Sequence, residues 1–464
     1  MRLPNTKQFV VRSGAGFSLP KLLCLGLLLA GALAAQVVAQ PVARHSPEWL
    51  RDGVIYEVNT RTFSAAGNFN GVAEQLPRLK ELGVNILWLM PIHPVGRARS
   101  KGTIGSPYAV RDYFAINPDY GSADDFKRLV SLAHRSGFKV IIDIVANHTA
   151  WDSVMMNTPA FYKHDAAGNI ISPVPDWTDV AGLDYSNPEL RAYMTRMLVY
   201  WIHEFDLDGF RCDVAGMVPT DFWEQARAEL EKVKPDIMLL AEWHSPDLLA
   251  KAFDLDYSWP LHSKLTDVFE NGTAPAADLR KEWDEERRVY PKGALHLRFS
   301  DNHDEKRAIA RFGERGALAA SALMFTLDGV PMLYNGMEVG DTTESGAPAL
   351  FERLPVFWQI AERRPEFPEF YRMLIPLRRT HAALRQGETE WVANSDPDRV
   401  VSYVRRGGGE EFLVAINCSN RAYNGHVQVA AGAPWSEITH SKSAGGLPDL
   451  TLSAWEFRMF RQGP

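Results

Sequence analysis

The sequence predicts an α/β protein built on a closed (β/α)8 TIM barrel, and three observations predict it. Eight short apolar runs recur over about 340 residues, amphipathic segments stand between them, and acidic side chains gather where the runs end. Continuous apolar strands separated by helices mean a parallel sheet covered on both faces. Because no glycine-rich phosphate loop follows the first run, a barrel with chemistry at the carboxyl ends of its strands suits the pattern better than an open doubly wound sheet.

The runs are "VIYEVN" (54–59), "VNILWLM" (84–90), "FKVIIDIV" (138–145), "DGFRCDV" (208–214), "IMLLAEW" (237–243), the weaker "AFDLDY" (252–257), "ALHLRFS" (294–300) and "VPMLYNG" (330–336). Between them, residues 70–82 carry Leu76, Leu79 and Leu82 at helical spacing and end at Gly83, while residues 122–136 open on the cap Ser122 and stop at Gly137. One connection is too long for a simple loop. Residues 148–187, rich in Trp, Asp, Pro and Asn, predict a short inserted subdomain after the third strand, ahead of a helix near 188–205. The barrel so read covers 48–385. From 386 to 464 the pattern becomes alternating: "RVVSYVRRGGGEEFLVAINCS" reads as a hairpin around Gly407 to Gly409, and "LTLSAWEFRMF" alternates similarly, so a C-terminal antiparallel β-sandwich domain is expected.

Composition narrows the function classes. With 46% apolar and 23% charged residues the 464-residue chain is of ordinary globular make-up. A net charge of −7 without any block of like charges argues against a nucleic-acid partner and for a neutral or weakly charged ligand. Residues 1–39 differ from the rest: Arg2, Lys7, Arg12 and Lys21 precede an apolar run of 14 residues, Leu22 to Ala35, followed by small-residue sites. This is the pattern of a secretory signal peptide, short for a membrane span, and it predicts an exported mature protein with no membrane insertion, an uncleaved anchor being the alternative left open by the long charged stretch ahead of the run. Cys24 would leave with it. Cys212 and Cys418, in separate strand-like contexts, read as small buried apolar residues rather than a disulfide framework.

At the strand ends stand "DIVANH" (Asp143, Asn147, His148), "GFRCD" (Arg211, Asp213), "AEW" (Glu242, Trp243) and "FSDNHD" (Asp301, Asn302, His303, Asp304). Since side chains alternate along a strand, Gly209, Arg211 and Asp213 share one face, Phe210 and Cys212 the other. Taken singly, each residue has a plain structural reading. Asp143 ties the strand end, Asn147 is a turn residue, Asp301 caps a helix, Arg211 and Asp213 are a structural ion pair, and Trp151 and Trp177 are either core or stacking surfaces. Jointly, three acids, two histidines and an arginine at one barrel rim point to chemistry.

In order and spacing, these four segments resemble the four signature regions of the α-amylase family of glycoside hydrolases. "GVIYEVNTRTF" (53–63), "SPYAVRDYFAINPDYG" (106–121) and "GVPMLYNGMEVG" (329–340) resemble that family too. The resemblance implies a retaining enzyme acting on α-linked glucans through a covalent intermediate, with Asp213 as nucleophile, Glu242 as proton donor and Asp304 as the third acid, which grips sugar hydroxyls. It implies sugar-binding roles for His148 and His303 and an aromatic platform at Tyr108. Arg211, beside Asp213, is expected to hold that carboxylate ionised, while a neighbouring negative charge or the Trp243 surface keeps a proton on Glu242.

Members of the family often bind calcium between barrel and subdomain. Here Asn147 matches one ligand, but Gly182 in "VAGLD" (180–184) and Met217 offer no oxygen where ligands usually lie, so no metal site and no required cofactor are expected. Val214 leaves the α-1,4 versus α-1,6 preference open. The expected activity is hydrolysis, mainly of α-1,4 bonds in starch-derived glucans or maltooligosaccharides. The alternatives are a glucanotransferase or an α-glucosidase or cyclomaltodextrinase-like enzyme of the same family, and, in another class, a glycan-binding protein on the same fold. Endo or exo action and oligomeric state are not predicted.

Overall fold

All eight apolar runs become parallel strands, and they close on themselves. The structure, a computed structural model, describes residues 40–430, 434–439, 443 and 445–463; the expected signal segment 1–39 lies outside them. The strands are β1 (Ile55–Val58), β2 (Ile86–Leu89), β3 (Lys139–Ile144), β4 (Gly209–Cys212), β5 (Met238–Ala241), β6 (Leu255–Tyr257), β7 (His296–Arg298) and β8 (Val330–Tyr334). Each pairs in parallel with its sequence neighbours and β1 closes on β8.

Strand periodicity sorts the side chains into two cores. Ile55, Ile86, Trp88, Ile141, Met238, Leu240, Leu255, Tyr257, Leu297 and Met332 pack against one another inside the barrel. The alternate residues, among them Tyr56, Leu87, Ile142, Phe210, Cys212 and Leu239, join the larger core beneath the surrounding helices. Inward-facing Gly209 has a specific reason: a Cβ there would lie 2.0 Å from the Met238 carbonyl oxygen. The predicted helix over 70–82 is two helices, Phe69–Glu74 and Leu76–Leu82, because Pro77 suits a helix start rather than an interior; Gly83 ends the second at φ 98°. Ser122 and Asp125 form a reciprocal capping box at the start of Ala123–Arg135.

Within 148–187, His148–Ala150 pairs antiparallel with Val180–Gly182, enclosing two 3-10 turns. Beyond the last helix, Ala382–Gln386, a five-stranded antiparallel sheet faces a three-stranded one. Val400, Val404, Leu413 and Phe460 of the first pack with Tyr423, Leu450 and Leu452 of the second. From residue 41 on, the described residues make one compact unit. No helix among the described residues is long and apolar enough to cross a membrane.

Candidate active site

Strand register decides which side chains meet. Asp143 on β3 stands level with Arg211 on β4, and Cys212 with Ala241 on β5, so Asp213 and Glu242 leave neighbouring strands side by side at the carboxyl rim. Arg211 is fully buried and touches three carboxyl groups. Its Nη1 lies 3.0 Å from Asp143 Oδ1 and 3.0 Å from Asp213 Oδ1, and its Nη2 2.9 Å from Glu242 Oε1. The face of Trp88 lies 5.1 Å from the guanidinium carbon, which an indole tolerates through its quadrupole. Asp143 is also fully buried; its Oδ2 accepts the Tyr108 hydroxyl at 2.9 Å.

Arg211 therefore does not single out Asp213, as the sequence suggested. One cation shared among three carboxylates cannot offset the loss of water for all of them. Burial pushes Asp213 up to about 7, opposed by Arg211 and reinforced by Asp143 and Asp304. Burial likewise pushes Glu242 up to about 7, opposed by Arg211 and reinforced by Asp213 and Asp304. Asp143 rises to about 6 for the same first reason. Like charges this close retain a proton among them near neutral pH. The Val214 N–H donates to Glu242 Oε2 at 2.8 Å, a contact that by itself favours the ionised form of that carboxyl, and Val214 reaches that pose with left-handed φ 38° and ψ 48°. For a β-branched residue this is a strained conformation.

The other predicted residues lie around this group. Tyr108 stacks on His303 with ring centroids 5.3 Å apart and 13° between planes, its hydroxyl 2.7 Å from His303 Nε2. That nitrogen also lies 3.1 Å from Asp304 Oδ2, and Nδ1 meets Glu57. His303 is pushed up to about 9, the carboxylates of Asp304 and Glu57 outweighing its burial. His148 is the opposite case: burial lowers it to about 4, so it is a neutral ring, edge-on to Trp177 at 5.5 Å. Asp301 turns away from the group, its Oδ2 accepting from the Ala308 amide at 3.2 Å at the start of the next helix. Trp151 donates to the Thr178 carbonyl and lies 3.8 Å beneath the Arg99 guanidinium. Trp243 lies flat against bare backbone, since a Cβ on Gly216 would sit 2.2 Å from its indole.

Two residues of the site went unnamed in the sequence reading. Glu57 is fully buried on β1 and reaches His303; Tyr257, on β6, accepts from Arg211 Nε at 3.4 Å. Alternation already marks Glu57: it faces inward between Ile55 and Asn59 in a strand otherwise apolar, where a charge needs a partner.

The chain matches the family model of the α-amylase catalytic domain over residues 48–166 and 175–369. The chain belongs to the α-amylase family of glycoside hydrolases. Among curated proteins it is similar to a cyclomaltodextrinase from a Bacillus species, 26% identical over 421 residues covering 80% of this chain and 73% of that one. An intracellular maltogenic amylase of Bacillus subtilis is 28% identical over 405 residues, 78% and 67% of the two chains. Among solved structures, a noncanonic maltogenic α-amylase from Thermotoga neapolitana aligns at a TM-score of 0.78 and 33% identity, covering 89% of this chain and 97% of that one.

At the calcium position that the resemblance implies, the side chains are an amide, a glycine and a thioether. Asn147 Nδ2 is directed at His148 Nδ1, 3.3 Å away, and at Met217 Sδ, 4.0 Å away. Gly182 has no side chain, and one placed there would come within 3.2 Å of the Pro173 nitrogen. Hard cations prefer oxygen ligands, and of these three side chains only Asn147 carries one.

Proposed function

We propose that this α-amylase family member hydrolyses α-1,4 bonds of short maltodextrins and cyclodextrins with retention, the substrate class suggested by the names of its relatives. One observation carries the reading: a single guanidinium bridges Asp213 and Glu242 on adjacent strands. That makes the two carboxyls near neighbours, the arrangement retention needs, with a separation of about 5 to 5.5 Å, rather than the wider gap of inverting enzymes.

In this mechanism the Asp213 carboxylate attacks the anomeric carbon as Glu242 hands its proton to the departing glycosidic oxygen, leaving a glycosyl ester on Asp213. Glu242, now ionised, takes a proton from water, which attacks the same carbon and releases Asp213. Arg211 changes partners with the charge. While Asp213 is esterified its nearer anion is Glu242; when Asp213 is free both compete, and the proton returns to Glu242. Asp304, paired with His303, presents its carboxylate to sugar hydroxyls and to the positive charge that develops on the ring. A 5-fluoro-α-glucosyl fluoride should label the protein stoichiometrically, and peptide mass spectrometry should place the label on Asp213. A label elsewhere, or none while hydrolysis proceeds, would falsify the nucleophile.

Two further parts of the reading have their own tests. Turnover is independent of calcium, so dialysis against EDTA should leave both kcat and the unfolding temperature unchanged. The protein is exported with removal of its first residues, supported by the charged and apolar pattern of 1–39; amino-terminal sequencing of protein recovered from a cell envelope fraction checks it.

A further inference from the structure

Glu57 is a buried carboxylate at the floor of the site to which the mechanism above gives no task. It is fully inaccessible to solvent and lies in register between Trp88 on β2 and Tyr334 on β8. Its Oε1 meets His303 Nδ1, and its Oε2 has no hydrogen-bond partner among the described residues. A desolvated anion is costly without a cation against it. The groups facing it otherwise are Tyr257, Tyr334 and Asp301, none of them positive. His303 is the group that can supply the charge.

Hydrogen-bond bookkeeping on His303 points the same way, without reference to its titration. Nδ1 faces the Glu57 carboxylate, which can only accept. Nε2 faces Asp304 Oδ2 at 3.1 Å, another acceptor, and the Tyr108 oxygen at 2.7 Å. The Tyr108 hydrogen is already committed to Asp143 Oδ2, so that oxygen too offers a lone pair. Trp88 presents an edge-on ring at 5.8 Å, and Arg211 opposes a positive charge from β4. Every hydrogen-bonding neighbour of the ring accepts, so both nitrogens must carry hydrogen.

We propose that Glu57 is a positioning residue for the reaction: it is the buried counterion that holds His303 as an imidazolium, which in turn orients the Asp304 carboxyl and keeps the Tyr108 hydroxyl turned toward Asp143. The kinetic consequence rests on the hydrolase reading above; the charge on His303 does not. Removing the charge while keeping the shape, as in Glu57→Gln, leaves an amide oxygen able to accept from Nδ1 but nothing to stabilise the cation.

The test uses the full chain carrying ring-labelled 15N-histidine, with His303 assigned by its loss in H303Q. In the native protein both His303 nitrogens should be protonated at about pH 7.5, and in E57Q the midpoint should fall by about two pH units, a hundredfold weakening of proton binding. The kinetic arm uses α-maltosyl fluoride, whose leaving group needs little proton donation, so kcat/KM is freed from the Glu242 limb. The E57Q to native ratio should be about tenfold lower near pH 8 than near pH 6, where the variant histidine is charged again. A purely structural role would lower the ratio equally at every pH. A neutral His303 in the native spectrum, an unmoved midpoint in E57Q, or a pH-independent ratio overturns the proposal, and the native spectrum decides even if E57Q fails to fold. If D213N kept its activity the mechanism would fall while the spectroscopic arm still stood.

Discussion

Asp208 and Asp213 bracket the same strand, five positions apart, and the protein treats them in opposite ways. Asp208, at the closed end of the barrel, accepts from the Val140 amide at 2.8 Å, from Lys139 and Lys234 at 3.0 Å each, and lies 2.8 Å from His134 Nε2. Despite its burial, these donors hold its carboxyl well below the usual range. Asp213, at the open end, shares one arginine with two other acids and is pushed up to about 7. Asp208 is met by two lysines, a histidine and a backbone amide, whereas at the other end three acids share one arginine. The first arrangement stabilises the fold; the second stores repulsion that a substrate's developing positive charge relieves.

The largest effect expected of breaking the second arrangement is on turnover. Asp213→Asn should lower kcat on maltotriose by roughly 10⁴-fold or more, the order seen when a group that bonds to substrate is removed. It should do the same on α-maltosyl fluoride. Glu242→Gln sharpens the assignment, because it should abolish maltotriose hydrolysis while holding kcat/KM on the fluoride within about tenfold of native. Equal losses on both substrates would mean that Glu242 is not the proton donor.

Stability should move the other way at the two ends. Asp208→Asn removes a buried acceptor from several donors and should cost about 2 to 3 kcal/mol near neutral pH, measured by urea unfolding. Since the folded carboxyl titrates below the unfolded one, its contribution is complete above the usual carboxylate range and fades as pH falls through it, so the cost should vanish in acid. For Asp213 the folded group titrates higher than the unfolded one, and stability is lost as pH rises toward 7. Asp213→Asn should therefore raise the unfolding temperature at pH 8 and do little at pH 4. If D213N destabilised the protein at pH 8, the crowding of acids at the rim would not be a strain.

Most of this was legible in the sequence, for reasons that differ by residue. The eight strands announced themselves because a parallel barrel buries both faces and most of the runs are largely apolar, the charged "AFDLDY" being the weakest of them. The rim acids were legible because they stand at strand ends in a fixed order. What stayed hidden is whatever depends on several strands at once. Arg211 read as a partner for Asp213 because the two stand two positions apart on one strand face; that it also holds Asp143 and Glu242 follows only from register across three strands. Glu57 sits inside an apolar run 246 residues from His303, and nothing local names that partner. The left-handed turn at Val214 was illegible because its residue type argues against it.

Val214 gives the smallest and finest probe of the open end. Its backbone conformation, at φ 38° and ψ 48°, aims its amide at Glu242, and a β-branched side chain resists that pose. Val214→Gly should keep the amide in place, because glycine enters the left-handed region freely. The strain released, about 1 to 2 kcal/mol, is largely offset by the greater freedom of glycine in the unfolded chain and by the loss of a side chain only 7% exposed. The net change in stability should lie within about 1 kcal/mol of native, with kcat/KM within a few fold. Val214→Ala retains the strain and forfeits the packing, so it should be less stable than V214G. The reverse order of the two variants in a thermal melt would show that the turn is held by the valine side chain rather than in spite of it, and that the amide contact with Glu242 is a by-product of packing.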